Sequence, residues 1–166
     1  MKSFLSKIYI IHYTKLAERK QHMLNEISKW SLDAVPVHFE ERHDQEVMTD
    51  YDIYQCINLH KFKENTSREM KKGEASLCLK YKSILEDIAK LDDEEYVLVL
   101  EDDVIFKESP ISYIQDLIKK CKERDVSFDC VFMGEAALRV GDNRDVFIKK
   151  DHPATNGMCT VLYKAS

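Results

Sequence analysis

The sequence predicts an α/β fold in which a mainly parallel, mixed sheet is flanked by helices. Short apolar runs alternate with amphipathic helical patterns along the chain, which is the order of βαβ units. One of these runs, Tyr96–Leu100, is apolar without interruption, as in a strand that is buried on both faces of a parallel sheet. We therefore expect residues 1–166 to form a single domain.

The first half of the chain predicts a βαβ unit and a long helix. Strands are expected at residues 7–12 and 34–39, and Pro36 makes the second one short or places it at a sheet edge. Residues 40–70 are polar and predict mostly loop, with a short irregular helix. Two sets of apolar residues at helical spacing predict the helices: Leu16, Met23, Leu24, Ile27 and Trp30 in the first, and Leu77, Tyr81, Ile84, Leu85, Ile88 and Leu91 in the second, which Gly73 precedes.

The second half predicts the central strand at Tyr96–Leu100, then a helix and further strands. Ser109 as N-cap and Pro110 at the first helical position are typical of a helix start. Residues 128–133 predict another strand. A turn is expected at residues 141–143, with late strands at 146–148 and 158–163.

Composition and charge exclude several classes of protein. Hydrophobic residues make up 44% of the chain and charged residues 33%, which indicates a globular protein. The net charge of −5 argues against nucleic-acid binding. No apolar run approaches the roughly 20 residues of a transmembrane helix, and no secretory signal is evident at the start. The cysteines lie scattered among apolar residues without a Cys-x-x-Cys pair, so we expect reduced core thiols and a cytoplasmic location.

Three consecutive carboxylates, Glu101, Asp102 and Asp103, follow the central strand. In α/β sheets ligands bind beyond the carboxyl ends of the strands, where His12–Thr14 and Glu135 are also expected. Glu101 and Asp103 point to the same side of an extended chain and can converge on one ion. Carboxylate oxygens suit Mg²⁺ and Mn²⁺, but a solvated acidic turn is equally compatible with this spacing.

Several segments together resemble glycosyltransferase family 25, which includes bacterial lipooligosaccharide sugar transferases and collagen galactosyltransferases. The resemblance covers most of the chain and rests on these segments: Lys7–Lys20, the helix start at Gly73-Glu74, the strand and acids of Tyr96–Phe106, and His152–Gly157. The family usually has Asn at His12 and often Ser-His at Lys80-Tyr81. Its acidic-Gly turn after the second strand is replaced here by residues 40–44.

The resemblance implies a Rossmann-like, A-type glycosyltransferase fold, here lacking its C-terminal part because relatives continue into another helix. It also implies a hexosyltransferase that moves galactose or glucose, with inversion, from UDP-galactose or UDP-glucose to a glycan or a hydroxylated protein. Mn²⁺ or Mg²⁺ would be the cofactor. The implied roles are as follows: Glu101 and Asp103 bind the metal; His12, Tyr13, Thr14, Arg19, Asp102 and His152 contact the donor. For the catalytic base, Glu135 is the first candidate because it follows an apolar strand at the same edge of the sheet, and Asp151 is the second.

Two other interpretations of the chain stay open. The departures at Lys80-Tyr81 are compatible with a catalytically silent glycosyltransferase-like domain that binds without turnover. A receiver-like signalling domain would also place an acid pair and Mg²⁺ after an apolar strand. That interpretation is weakened because few residues follow Asp103 and no later apolar strand ends in Asp. Metal-dependent binding of a nucleotide sugar separates the transferase from the receiver, and turnover separates it from the silent domain.

Overall fold

The computed structural model of the protein describes residues 4–56, 58–92, 95–106, 108–133 and 160–165. These residues form a five-stranded mixed sheet with flanking helices, which confirms the predicted α/β class. The strands are β1 (Leu5–Ile11), β2 (Val37–Glu40), β3 (Tyr96–Glu101), β4 (Cys130–Phe132) and β5 (Thr160–Lys164). The helices are α1 (Ala17–Lys29), α2 (Asp50–Cys56), α3 (Leu59–Thr66), α4 (Lys72–Ile88) and α5 (Pro110–Glu123).

The strand order in the sheet is β2-β1-β3-β5-β4. β1 pairs in parallel with both β2 and β3, and Ile11 at its end lies opposite Glu40 on one side and Glu101 on the other. β5 pairs antiparallel with β3 and with β4, so one strand of this sheet runs against the others. As predicted, β3 is an interior strand and β2 is a short edge strand.

The two faces of β3 belong to two different parts of the core. Val97, Leu98, Val99 and Leu100 are each 0% exposed, as the uninterrupted apolar run predicts. Because successive side chains point to opposite faces, Leu98 and Leu100 pack with residues of α1 and α5. Val97 and Val99 pack with residues of α4 on the other face. The sheet therefore has helices on both faces, and its central strand is fixed from both sides.

The polar stretch from residue 40 to residue 70 departs most from the prediction. It contains two helices, α2 and α3, where one short irregular helix was expected. Met48 and Ile53 are buried against Ala75 and Leu79 of α4, so a few apolar contacts are enough to fix this region. The polar pattern gives no sign of these contacts, because they are made with a distant part of the chain.

Other sequence predictions are corrected at particular residues. Leu24 and Leu85 were assigned to buried helix faces, but each is 43% exposed. The prediction of core thiols is wrong for Cys78 and Cys130, which are exposed, whereas Cys121 is buried. The last strand is described from Thr160 to Lys164, which confirms the prediction for residues 160–163, whereas residues 158 and 159 lie outside the described residues. The turn predicted at residues 141–143 and the strand at 146–148 lie outside the described residues. Within the described residues, no helix has the length and apolar character needed to cross a membrane.

Candidate active site

The carboxyl ends of β1, β2 and β3 meet at one edge of the sheet. Ile11, Glu40 and Glu101 are opposite one another in register, and the next residues of all three strands leave the sheet at this edge. Parallel pairing thereby brings residues that are far apart in the chain into one cluster. This edge is where α/β sheets bind their ligands.

Asp102 is the most strongly bonded of the three acids. Its Oδ2 lies 2.9 Å from Nδ1 of His12, and its Oδ1 accepts a hydrogen bond of 2.9 Å from Nη1 of Arg19. Both His12 and Asp102 are buried. Because Asp102 is a carboxylate beside the Arg19 guanidinium, it only accepts, so Nδ1 of His12 carries the proton in this contact.

Asp103 and Glu101 are less constrained than Asp102. The Asp103 side chain is 53% exposed, and its Oδ2 lies 3.2 Å from Nη1 of Arg19. Glu101 is partly buried at the end of β3. Burial raises the pKa of Glu101, and the nearby charges of Asp103 and Asp102 raise it further against the opposing effect of Arg19. Excess negative charge is therefore concentrated at the end of β3.

The loop between β1 and α1 is tied to the segment that follows β2. The backbone N of Thr14 donates to Oδ2 of Asp44 over 3.2 Å, and the Thr14 hydroxyl donates to the same oxygen. The Tyr13 hydroxyl donates to Glu46 and accepts from Nε2 of Gln45 at 3.2 Å. Thus the residues predicted to contact the donor after β1 are held by side chains that sequence reasoning did not select.

Lys80 of α4 is buried beneath the same loop. Its ammonium group donates to the backbone oxygen of His12 and to Oδ1 of Asp44. Burial alone would raise the pKa of Asp44, but the hydrogen bonds from Lys80 and Thr14 outweigh it and hold this pKa below its usual value. Lys80 and Asp44 were missed because an isolated Lys or Asp is normally read as a surface residue.

A pattern in α4 could have revealed this interface. Its buried residues include a polar stripe at helical spacing next to the apolar one: Ser76, Lys80 and Ser83. Ser76 Oγ donates to the His43 backbone oxygen over 2.7 Å, and Ser83 Oγ lies 3.2 Å from Nε2 of His43. Residues spaced by four and three lie on one helix face. The stripe therefore marks the face that contacts the segment after β2.

A second ion pair lies in the segment after β2. Glu40 is fully buried, and Arg42 binds its carboxylate through Nε at 2.9 Å and through Nη2 at 2.5 Å. Burial alone would raise the pKa of Glu40, but these hydrogen bonds outweigh it and keep the pKa below its usual value. Nη2 of Arg42 also lies 3.3 Å from Oδ2 of Asp87 in α4. This pair anchors the start of the segment that carries Asp44.

The structure thus brings together His12, Arg19, Asp102 and Asp103 in direct contact, with Glu101, Tyr13 and Thr14 at the same edge of the sheet. The described residues contain no group of three or more His, Cys, Asp or Glu side chains arranged to hold a metal ion. Glu101 and Asp103 could therefore supply only part of a coordination shell. The predicted base candidates Glu135 and Asp151, and the predicted donor contact His152, lie outside the described residues.

Comparison with known proteins gives one family match. Residues 5–139 match the sequence model of glycosyltransferase family 25, whose description is LPS biosynthesis protein. The match covers most of the chain and runs from β1 to beyond β4, so it includes the acidic triplet, Arg19 and the loop after β1. Comparison with curated proteins gives no match.

Proposed function

The chain belongs to glycosyltransferase family 25, and on that basis we propose that it transfers a hexose, galactose or glucose, from a UDP-sugar to an acceptor hydroxyl with inversion. The family description, LPS biosynthesis protein, favours a glycan over a hydroxylated protein as the acceptor. The observation that carries the proposal is the contact of Arg19 with both Asp102 and Asp103 beside His12. The Arg19 guanidinium and these two carboxylates therefore lie at the edge of the sheet where α/β folds bind their ligands.

A divalent cation fits the residues at the end of β3. Asp103 is half exposed and can turn toward an ion, and Glu101 lies two residues before it, at the end of β3 where the chain turns. Burial is the main cause of the raised pKa of Glu101, and the charges of Asp103 and Asp102 add to it; Mn²⁺ or Mg²⁺ would offset those charges. Glu101 and Asp103 would hold the ion, and oxygen atoms of the donor diphosphate would supply further ligands. When bound, the ion stabilises the negative charge that builds up on the departing nucleoside diphosphate.

The chain's own residues would orient the donor. Arg19 carries the positive charge that matches a diphosphate, and its guanidinium is already placed by Asp102. Asp102 in turn fixes the His12 ring through Nδ1. The loop of His12, Tyr13 and Thr14 would contact the uridine or its ribose, since it leaves the sheet beside these acids.

An inverting transfer requires a base that takes the proton from the acceptor hydroxyl. Glu135 is our first candidate, because it comes after β4 in the sequence and β4 runs in the same direction as β3, and Asp151 is the second. Replacing each by its amide should lower turnover without lowering affinity for the donor. A residue that only supports the fold would change stability as well.

A donor screen tests the proposal. Unfolding temperature is measured with each common nucleotide sugar, with and without Mn²⁺. A ligand present at about 100 times its dissociation constant adds about 2.7 kcal/mol to the free energy of unfolding, which is an easily measured shift. We expect UDP-galactose or UDP-glucose with Mn²⁺ to give the largest shift. A shift that does not depend on Mn²⁺ would contradict the metal dependence, and binding without sugar transfer to any glycan would favour the catalytically silent domain.

A further inference from the structure

Lys80 and Asp44 form an ion pair in an unusual place for charged side chains. The Lys80 side chain is 2% exposed and that of Asp44 is 8% exposed. Removing two charges from water costs several kcal/mol per ion, and a well-packed apolar pair in the same space is often as stable or more stable. The stability of the α4 interface therefore does not account for the presence of this pair.

The contacts of the pair are directed at the loop after β1. Lys80 donates to the His12 backbone oxygen as well as to Asp44, and Asp44 accepts two hydrogen bonds from Thr14. Both ends of the His12–Thr14 segment are thus bound to one buried pair. On its other side, the same segment presents the His12 ring to Asp102.

We propose that Lys80 and Asp44 are positioning residues, which fix His12–Thr14 in the conformation that receives the nucleotide of the donor. This inference rests on the proposed function, because it takes the segment to be part of the donor site. Neither side chain touches the donor in this role. They act through the backbone of His12 and through Thr14, so their loss loosens the loop and weakens donor binding without altering the acids of β3.

The length of the Lys80 side chain lets its ammonium group contact the His12 carbonyl and Asp44 at the same time. The polar stripe of Ser76, Lys80 and Ser83 faces the segment of residues 43–44, so Lys80 and Asp44 belong to one interface. The salt bridge therefore connects α4, the segment after β2 and the loop after β1.

The test replaces both charges together. In Lys80→Met/Asp44→Leu no buried charge loses its partner, and the groups that lose hydrogen bonds, the His12 carbonyl and Thr14, belong to the loop itself, so the effect is expected in the loop and not in the rest of the fold. Hydrogen exchange of the amides of residues 12–16 is measured in the absence of any ligand. We expect exchange there to be roughly tenfold faster than in the wild type, because several hydrogen bonds that close the loop are gone. Exchange in β3 and α1 should be unchanged.

The second readout is the affinity for UDP in the presence of Mn²⁺, measured by calorimetric titration. The double variant should bind UDP roughly tenfold more weakly, as expected when a site loses its preorganisation. Lys82→Met is the matched control, since Lys82 is in the same helix, is 52% exposed and pairs with Glu86. This control should behave as the wild type in both measurements.

Three results decide the inference. Faster exchange in residues 12–16 together with weaker UDP binding supports it. Wild-type exchange, or wild-type UDP affinity with a loosened loop, overturns it. If the wild type itself binds no UDP or UDP-sugar, the proposed function fails. The exchange rates of the double variant and the wild type then still show whether the ion pair holds residues 12–14. Thr14→Val serves as a second variant for the exchange readout alone, since it removes one hydrogen bond to Asp44 and should speed exchange in residues 12–16 by a smaller factor.

Discussion

Nδ1 of His12 lies 2.9 Å from Oδ2 of Asp102, although 90 residues separate them in the chain. The contact exists because β1 and β3 are parallel neighbours and both side chains follow the last paired residues, Ile11 and Glu101. Because of this contact, Asp102 and Asp103 differ in burial and in their bonding partners. Asp102 is buried and bonded to His12 and Arg19, whereas Asp103 is half exposed and contacts Arg19 at 3.2 Å. The first two predictions follow from this difference.

Replacing Asp103 by Asn should uncouple donor binding from the metal. The variant loses an anionic ligand but keeps the size of the side chain, and its free energy of unfolding should change by no more than about 0.5 kcal/mol because the group is half exposed. Calorimetric titration of UDP with and without Mn²⁺ measures the effect. Asp116→Asn, on the exposed face of α5, is the matched control. Equal metal-enhanced affinity in Asp103→Asn and the wild type would make Asp103 an ordinary turn residue.

Replacing Asp102 by Asn should instead destabilise the fold. The change removes the charge that Arg19 and His12 both contact, in a position where lost hydrogen bonds are not replaced by water. The expected loss is about 1–3 kcal/mol. Urea unfolding of Asp102→Asn beside Asp103→Asn checks this prediction. Similar stability of the two variants would show that the His12–Asp102 contact contributes nothing to the fold.

Replacing Arg19 by Met should raise the affinity of the free protein for Mn²⁺ and lower its affinity for UDP. Arg19 is the cation in contact with Asp102 and Asp103, so its removal leaves the acids more negative and frees Asp103. A several-fold tighter binding of Mn²⁺ alone is expected at low salt. Titration of Mn²⁺ and then of UDP measures the two effects separately. Weaker Mn²⁺ binding would mean that Arg19 and the ion do not share these carboxylates.

Replacing Arg42 by Met should destabilise the protein in a pH-dependent way. Glu40 is fully buried and would lose the Arg42 guanidinium while keeping the hydrogen bond from the backbone N–H of residue 42, so the expected cost is about 2–4 kcal/mol at neutral pH. In the wild type the pKa of Glu40 is lowered, so the pair stabilises the fold above the unfolded pKa and this contribution is lost as the pH falls through the folded pKa.

In Arg42→Met the same carboxyl keeps its burial and the hydrogen bond from the backbone N–H of residue 42 but loses the guanidinium, so its pKa should rise and the group should become neutral at a higher pH. The stability difference between the two proteins should therefore narrow from pH 7 to about pH 4. Urea unfolding across this range provides the measurement. A difference that stays constant with pH would show that Glu40 is not the group responsible.

The fold could be predicted where the signal is local. The apolar run of β3 and the Ser-Pro start of α5 depend on residues next to one another, and both elements appear where expected. The polar stretch from 40 to 70 could not be predicted, since its helices depend on contacts of Met48 and Ile53 with α4. The alternation of strands and helices likewise gave the class of the sheet but not the reversed direction of β5.

The site was predictable to the level of the sheet edge. The rule that ligands bind beyond strand ends places His12 near the acidic triplet, and the two are indeed in contact. The rule cannot say which acid is buried. The rule does not predict the roles of Lys80 and Asp44 either. A charged side chain is rarely buried without a partner, and these two partners are 36 residues apart in the chain. The metal, donor and base assignments stay predictions.

The position of β5 has a consequence for solubility. The family match ends at residue 139, yet β5 lies beyond it and covers one side of β3 from Tyr96 to Leu100. A version of the protein trimmed to the matched residues would leave the unpaired backbone groups of β3 along a Val- and Leu-rich strand. Such an exposed edge is a template for pairing between molecules. Trimmed versions should therefore aggregate even though every residue of the acidic triplet and of the loop after β1 is retained.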